Sequence, residues 1–399
     1  LKVLQINTTV NSGSTGRIAE DIGNVLIANG HESYVAYGRG NRPSNSELVK
    51  IGAKKDVYLH GVKTLFFDRH GFGSACATKA LVKEIDRIKP DVIGLHNLHG
   101  YYVHIDILFN YLEQANIPVV WTLFDCWAFT GHCTYFDDIN CRKWKNECNS
   151  CPKTKKYPSS YGLDNSRMNF MDKKYLFNLP ENLEIIVHSN WLKGLVEQSF
   201  LSNRTIHHVF SGIDLEKFKI HSVKKSERKI ILGVASIWDT RKGLTDFFKL
   251  DDLITEEYQI VLIGLTKQQI KTLPKGVKGI ERTESTESLT EFYNMAAVFI
   301  NPTYQDNFPT TNIEALACGT PLITYNTGGS PEAIDENTGR VVEKGDVQGL
   351  WKAIKELKVL PQEQLRNDCR TRAEKHFDKN DRYQDYLNLY EQLVNEKNN

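Results

Sequence analysis

Short β-branched and aliphatic runs alternate with amphipathic stretches along almost the whole chain, and this alternation limits the fold more than any other feature. Val3–Thr8, Ser33–Tyr37, Asp91–His96 and Pro118–Leu123 have the near-continuous apolar character of strands buried on both faces of a parallel sheet. Arg17–Asn29, Ala75–Lys89 and His104–Gln114 lie between them with helical spacing. Leu183–Ser189 and Thr205–Phe210 continue the series. The rhythm is the βαβ repeat of a doubly wound sheet.

The pattern then restarts. Lys229–Ala235, Gln259–Ile263, Val298–Asn301 and Pro321–Thr324 predict a second set of strands, with helices over Lys242–Leu250, Leu289–Asn294 and Ile313–Cys318. A chain of 399 residues also exceeds one ordinary core and suits two domains. The expected fold is therefore α/β, with two Rossmann-like domains facing across a cleft. Residues 1–210 form the first, with a cysteine-rich insertion near 126–165, and residues 211–380 form the second. A closing helix over 381–399 follows, the C-terminal helices packing back toward the first domain. The charged, aperiodic Ile220–Arg228 is the best linker. Ligands in such sheets bind outside the C-terminal strand ends, so the loops that follow strands are the ones to inspect.

Composition narrows the function classes. A net charge of +1 argues against nucleic acid as the main partner. No apolar run approaches the ~18 residues needed to span a bilayer, and Leu1–Thr9 has no basic leader pattern. The expectation is a cytoplasmic enzyme.

After the first strand comes Asn11-Ser12-Gly13-Ser14-Thr15-Gly16-Arg17. Small residues at a helix N-terminus let backbone N–H groups approach an anion; equally, Ser14 or Thr15 would cap a flexible turn. The segment lacks the G-x-G-x-x-G spacing of a dinucleotide site. After the first strand of the second set comes Trp238-Asp239-Thr240-Arg241-Lys242-Gly243, which puts two cations at a strand end. After the strand ending at Asn301 come Asp306, Asn307, Phe308, Pro309, Thr310 and Thr311, and Pro309 suits the first turn of a helix. Glu314 falls one turn inside that helix, three residues past Thr311 and on its face. The helix N-terminus suits a diphosphate, and a carboxylate at that depth suits two ribose hydroxyls.

This last segment resembles the E-x7-E region of retaining glycosyltransferases with the two-Rossmann (GT-B) fold, the large family 4 group. The agreement extends to Arg241-Lys242-Gly243, to Ser211-Gly212-Ile213-Asp214 and to Gly328-Gly329-Ser330-Pro331-Glu332. The resemblance implies that Arg241 and Lys242 bind the donor diphosphate, with Gly13, Gly16, Asn307, Phe308, Thr310 and Thr311 around the donor and Glu314 on its ribose. Asp306 stands where the first Glu would reach the transferred sugar, one methylene short. The first half is similar to a narrower bacterial group that builds polysaccharides of the colanic-acid and capsule type, through His96-Asn-Leu-His99-Gly100 and Phe124-Asp125-Cys126-Trp127 to His132-Cys133. There His96, His99, Asp125, Trp127 and His132 are the acceptor-side candidates, Asp125 also catalytic. Relatives tend to carry His where Phe124 stands.

What the resemblance implies is transfer of a sugar, with retention, from a nucleotide-diphosphate sugar to a saccharide or lipid-linked saccharide acceptor in surface polysaccharide biosynthesis, with no catalytic cofactor. A sugar-nucleotide epimerase of the same fold, or a non-catalytic nucleotide-sugar binding protein, are the competing expectations. Cys133, Cys141, Cys148 and Cys151 crowd the insertion, and four soft ligands with one C-x2-C suit structural Zn²⁺; reduced thiols packed in a loop are the alternative. The basic stretch Arg142–Lys156, with Trp144 and Tyr157 nearby, suits peripheral contact with the inner face of a membrane or a lipid pyrophosphate; a solvated charged loop is the bland alternative.

Overall fold

Seven parallel strands make the first sheet. The computed structural model describes residues 1–40, 42–223 and 226–398, and these divide into one unit of Leu1–Val209 with Asn380–Asn399 and a second of Phe210–Lys379. The first unit runs β1 (Lys2–Asn7), α1 (Gly13–Ala28), β2 (Glu32–Tyr37), β3 (Glu47–Lys50), α2 (Lys54–Phe67), α3 (Ala75–Ile88), β4 (Val92–Leu95), α4 (Ile105–Ala115), β5 (Val119–Leu123), α5 (Ser166–Leu176), β6 (Leu183–Val187), α6 (Asn190–Val196) and β7 (Ile206–His208). Its strand order is β3-β2-β1-β4-β5-β6-β7. β4 and β5 are buried at every residue, as their continuous apolar sequences require.

The second unit runs β8 (Lys229–Val234), α7 (Leu244–Asp251), β9 (Tyr258–Ile263), α8 (Lys267–Lys271), β10 (Val277–Ile280), α9 (Thr286–Met295), β11 (Ala296–Asn301), α10 (Thr310–Ala317), β12 (Leu322–Tyr325), β13 (Gly339–Val342), α11 (Val347–Lys358) and α12 (Gln362–Phe377). Its six parallel strands are ordered β10-β9-β8-β11-β12-β13. The last helix, α13 (Lys379–Asn398), packs Tyr383, Tyr386 and Tyr390 with Val3, Ile18, Val92 and Val120 of the first unit.

Both sheets reverse direction beside their first strand, between β1 and β4 and between β8 and β11. Such reversals open a crevice at the C-terminal strand ends. Four loops reach these two points, and they carry Gly13, His99, Arg241 and Asp306.

Two expectations change. The helix expected over Lys242–Leu250 is a 3₁₀ turn over Thr240–Lys242 followed by α7, because Gly243 between them is left-handed at φ +71°. The proposed linker Ile220–Arg228 lies within the second unit, where His221 N–H donates to Asn294 Oδ1 of α9 at 3.0 Å; residues 224 and 225 of it lie outside the described residues.

Candidate active site

In the second unit, the loop after β8 is sewn onto the loop after β11. Tyr304 N–H donates to the Arg241 carbonyl at 2.7 Å, and Thr303 Oγ1 donates to the same oxygen at 3.2 Å. Arg241 Nη1 returns a bond to the Gln305 carbonyl at 3.0 Å. Gly243 permits this approach: a Cβ there would stand 2.2 Å from the Pro302 carbonyl oxygen. Asp239 caps the turn, accepting from Lys242 N–H at 3.2 Å. Lys242 Nζ and Asp306 Oδ2 then meet at 2.5 Å, both side chains less than one-fifth exposed. Residues more than sixty positions apart in sequence thus form one charged pair.

Asn301 at the end of β11 donates to Asn312 Oδ1 at 2.7 Å, and Asn312 Nδ2 donates to Ser330 Oγ at 2.8 Å. These buried bonds fix the first turn of α10, a role for Asn312 and Ser330 that no motif suggested. The N-cap residue of this helix is Pro309, whose side chain makes no cap hydrogen bond, so the leading N–H groups around Thr310 and Thr311 suit an anion. Glu314 is buried one turn further on, and Tyr293 donates to its Oε2 at 2.8 Å from a fully buried position. The loop beyond β12 closes the base: Gly329 N–H donates to the Asn307 carbonyl at 2.8 Å, and a Cβ on Gly328 would strike the Asp306 carbonyl. Arg241, Lys242, Asp306, Asn307, Thr310, Thr311 and Glu314 therefore share one neighbourhood. Phe308 is the exception, because its ring packs on Phe210 and Phe377 in the core at 5.2 and 5.8 Å.

In the first unit, α1 begins at Gly13, four residues earlier than expected, with Gly13 exposed at φ +69°. Gly16 is buried inside the first turn, where a Cβ would stand 2.7 Å from Thr9 Oγ1, so of the two glycines only Gly13 faces outward. His99 and Asp125 do come together, with Nε2 to Oδ2 at 2.8 Å, and Tyr157 Oη lies 3.2 Å from His99 Nδ1. Asp125 Oδ1 accepts from Trp127 N–H at 2.9 Å, which holds the carboxylate toward His99.

Three other acceptor-side candidates are interior residues. His96 is buried, bonded through Nε2 to Gln5 Oε1 at 2.9 Å, and burial together with nearby His188 pushes its pKa down to about 3. Trp127 is 2% exposed and has the Lys173 ammonium 3.6 Å from its ring centroid. His132 is sealed with Asp68, Nδ1 to Oδ1 at 2.5 Å; burial opposes its charge, but the Asp68 carboxylate offsets this and raises its pKa. Phe124 lies between His96 and His188, at 6.2 and 5.2 Å.

Sequence reasoning missed Lys173 and His70. Lys173 is buried and donates to the Trp127 and Thr130 carbonyls at 2.8 and 3.0 Å, and burial brings its pKa down to about 7. His70 packs among Tyr101, Trp127, Tyr157 and His99, and neither of its ring nitrogens has a hydrogen-bond partner among the described residues. A lone His in a loop, or a Lys in a helix rich in polar residues, carries no local signal of burial.

Cys133, Cys141, Cys148 and Cys151 line one cavity with His132, Phe136 and Trp144. The Cys151 thiol is held below its usual pKa, chiefly by a hydrogen bond from Cys133, whose own pKa is correspondingly raised. Among the described residues, no group of three or more His, Cys, Asp or Glu is placed to hold a metal ion. No helix among them is long and apolar enough to cross a membrane. Of the basic stretch Arg142–Lys156, Lys143 and Lys145 bond to the Asn149 carbonyl and Gln198, and Lys153 pairs with Asp138 at 2.7 Å.

Residues 15–217 match the family model described as Glycosyltransferase Family 4, and residues 228–358 match Glycosyl transferases group 1. The putative colanic acid biosynthesis glycosyl transferase WcaC of Escherichia coli is 23% identical over 369 residues, covering 88% of this chain and 89% of that one. Among solved structures, sucrose-phosphate synthase from Thermosynechococcus elongatus superposes with a TM-score of 0.73 at 16% identity, covering 98% of both chains. HepE of Anabaena, solved in complex with UDP, gives 0.67 at 13% identity, over 98% of this chain and all of that one.

Proposed function

Since the chain belongs to glycosyltransferase family 4 and is a glycosyltransferase, we propose that it moves a sugar, with retention of anomeric configuration, from a nucleotide-diphosphate sugar to a saccharide or lipid-linked saccharide acceptor in surface polysaccharide biosynthesis. The observation that carries the donor assignment is the convergence of Arg241, Lys242, the start of α10 and Glu314 on one crevice. The name of the Escherichia coli relative supports the polysaccharide context, and UDP in the Anabaena structure supports the nucleotide.

Departure of the nucleoside diphosphate builds negative charge on its β-phosphate. Arg241, Lys242 and the N–H groups of the first turn of α10 are set to meet that charge before it appears, so no reorganisation accompanies the reaction. Glu314, aligned by Tyr293, accepts from the ribose hydroxyls. Asp306 approaches the transferred sugar and holds Lys242 in place. On the acceptor side, His99 held by Asp125 orients an acceptor hydroxyl. The leaving phosphate takes the acceptor proton, so the chain supplies no nucleophile.

The test is release of nucleoside diphosphate from UDP-, GDP- and ADP-sugars with and without saccharide acceptors. One donor should be consumed at a rate that depends on added acceptor. Acceptor-independent conversion of the donor would indicate an epimerase, and binding without turnover a sensor; either result overturns the proposal.

The proposal includes one zinc ion on the four thiols of the insertion. The support is that they share one cavity and that one thiol is already biased toward the thiolate. No three described ligands are yet in place, so the ion would have to draw the sulfurs together. Metal analysis of untagged protein should find about one zinc per chain. A fully active metal-free preparation with four reactive thiols would remove zinc from the account.

A further inference from the structure

Helix α2 is inverted. A surface helix normally buries its apolar stripe and shows its polar side to water. The buried side chains of α2 are the polar His60 and Thr64, while Tyr58, Leu59, Phe66 and Phe67 point outward. Leu59 and Phe66 are seven residues apart and share one stripe of the helix. Helix α5 does the same in part: beside Phe170 and Leu176 it buries the polar Asn169 and Lys173, and it exposes Met168, Met171 and Tyr175, again at helical spacing. The segment that leads into α5 adds Tyr161 and Leu163. These nine side chains are between 51% and 72% exposed, and they are nine of the sixteen exposed large apolar side chains among the described residues.

They form one surface because hydrogen bonds tie the three segments together. Tyr161 and Leu163 donate their N–H groups to the Leu65 and Phe66 carbonyls at 2.8 and 2.9 Å. Arg69, just past α2, binds Asn169 and Asp172 of α5 at 3.0 and 2.8 Å. A concentration of exposed apolar side chains on linked segments marks an interaction site.

Charge identifies the occupant. Lys54, Lys55, Lys155, Lys156 and Lys174 are exposed on the same three segments, and none has an ion pair among the described residues. The acids nearby are engaged locally: Asp56 accepts from Ala53 N–H, Asp164 from Cys151 and Ser166 N–H, Asp172 pairs with Arg69, and Glu147 with Arg167. Aromatic and Met side chains ringed by lysines match the boundary of an anionic bilayer, where apolar area inserts and each cation gains from the surface potential. We propose that this face of the first unit docks on an anionic lipid membrane. It adjoins the acceptor side, since His70, two residues past Asp68 at the end of α2, packs against His99 and Trp127. The surface stands on its own observations, and only its purpose, delivery of a lipid-linked acceptor, rests on the proposed function. The basic loop singled out from sequence contributes Lys155 and Lys156, and the two helices supply the rest.

The test is co-sedimentation of the full chain with phosphatidylglycerol–phosphatidylcholine vesicles, without donor or acceptor, so docking is read separately from transfer. The chain should bind these vesicles and bind pure phosphatidylcholine far more weakly. The pair Leu59→Ser with Phe66→Ser, and the pair Lys55→Glu with Lys174→Glu, should each lower partitioning about tenfold or more. Melting and turnover of a water-soluble acceptor should be unchanged in both, and Val359→Ser, exposed in the second unit, should bind like the parent. Absence of vesicle binding, or equal binding by all variants, overturns the inference. So does a dimer in solution that the Leu59 and Phe66 substitutions dissociate, because the face would then belong to a second copy of the chain.

Discussion

Lys242→Ala should lower kcat by about 10²–10³-fold, the usual effect of removing one donor from a site where charge develops in the transition state. The acceptor KM should barely move. Lys242 is paired with a carboxylate in the free protein, with Asp306 Oδ2 2.5 Å from Nζ. Its position is therefore set before the donor arrives, and the ammonium is ready when charge shifts to the leaving phosphate. Removing it also leaves Asp306 without its cation beside an incoming dianion, which adds repulsion to the lost attraction. Lys242→Ala should consequently be worse than Arg241→Ala, and adding Asp306→Asn to Lys242→Ala should recover part of the nucleotide affinity. Arg241 is placed by the Gln305 carbonyl and is more exposed, with 36% of its side chain accessible. Steady-state kinetics on each variant decide the point. A rise in donor KM with kcat intact would make both residues simple binding groups.

The short carboxylate at 306 follows from the same geometry. A Glu at this position would carry its carboxylate one methylene beyond the present contact with Lys242. Asp306 instead closes the pair directly, and its other oxygen accepts from Asn307 N–H at 3.0 Å.

The strands at the two reversal points were legible in the sequence because their central residues are buried and nearly all apolar, Gln5 of β1 being the polar exception. The edge strands β3 and β10 were not: β3 has no buried residue and β10 one, so neither leaves a run to find. Helix α2 was missed for a related reason, since its apolar side faces outward and its inner face is His60 and Thr64. The donor motifs were legible because glycines, a helix start and cations must sit at fixed offsets from a strand end. Burial of the acceptor-side histidines was not, because it depends on distant residues. Asp68, which seals His132, lies sixty-four positions away, and Gln5, which holds His96, lies ninety-one. The burial of Phe308 was likewise not legible, because a loop residue in the donor motif can still turn its ring into the core, here onto Phe210 and Phe377.

Glu314→Ala should weaken nucleoside diphosphate binding about 100-fold or more. A carboxylate accepting from both hydroxyls of a ribose makes two charge-assisted hydrogen bonds, each worth roughly 1.5–3 kcal/mol, and every 1.4 kcal/mol is tenfold in affinity. Tyr293 donates to Oε2 at 2.8 Å and is fully buried, so the carboxylate cannot be swung aside and keeps one orientation. Loss of that alignment in Tyr293→Phe should cost less, about tenfold. The decisive measurement is calorimetric titration of UDP, GDP and ADP into the parent chain and into Glu314→Ala, with melting curves to show that both are folded. The parent should bind one of these nucleotides, and the variant should bind it about 100-fold or more weakly. Equal affinity in the two proteins would contradict the assignment of the nucleotide to the start of α10.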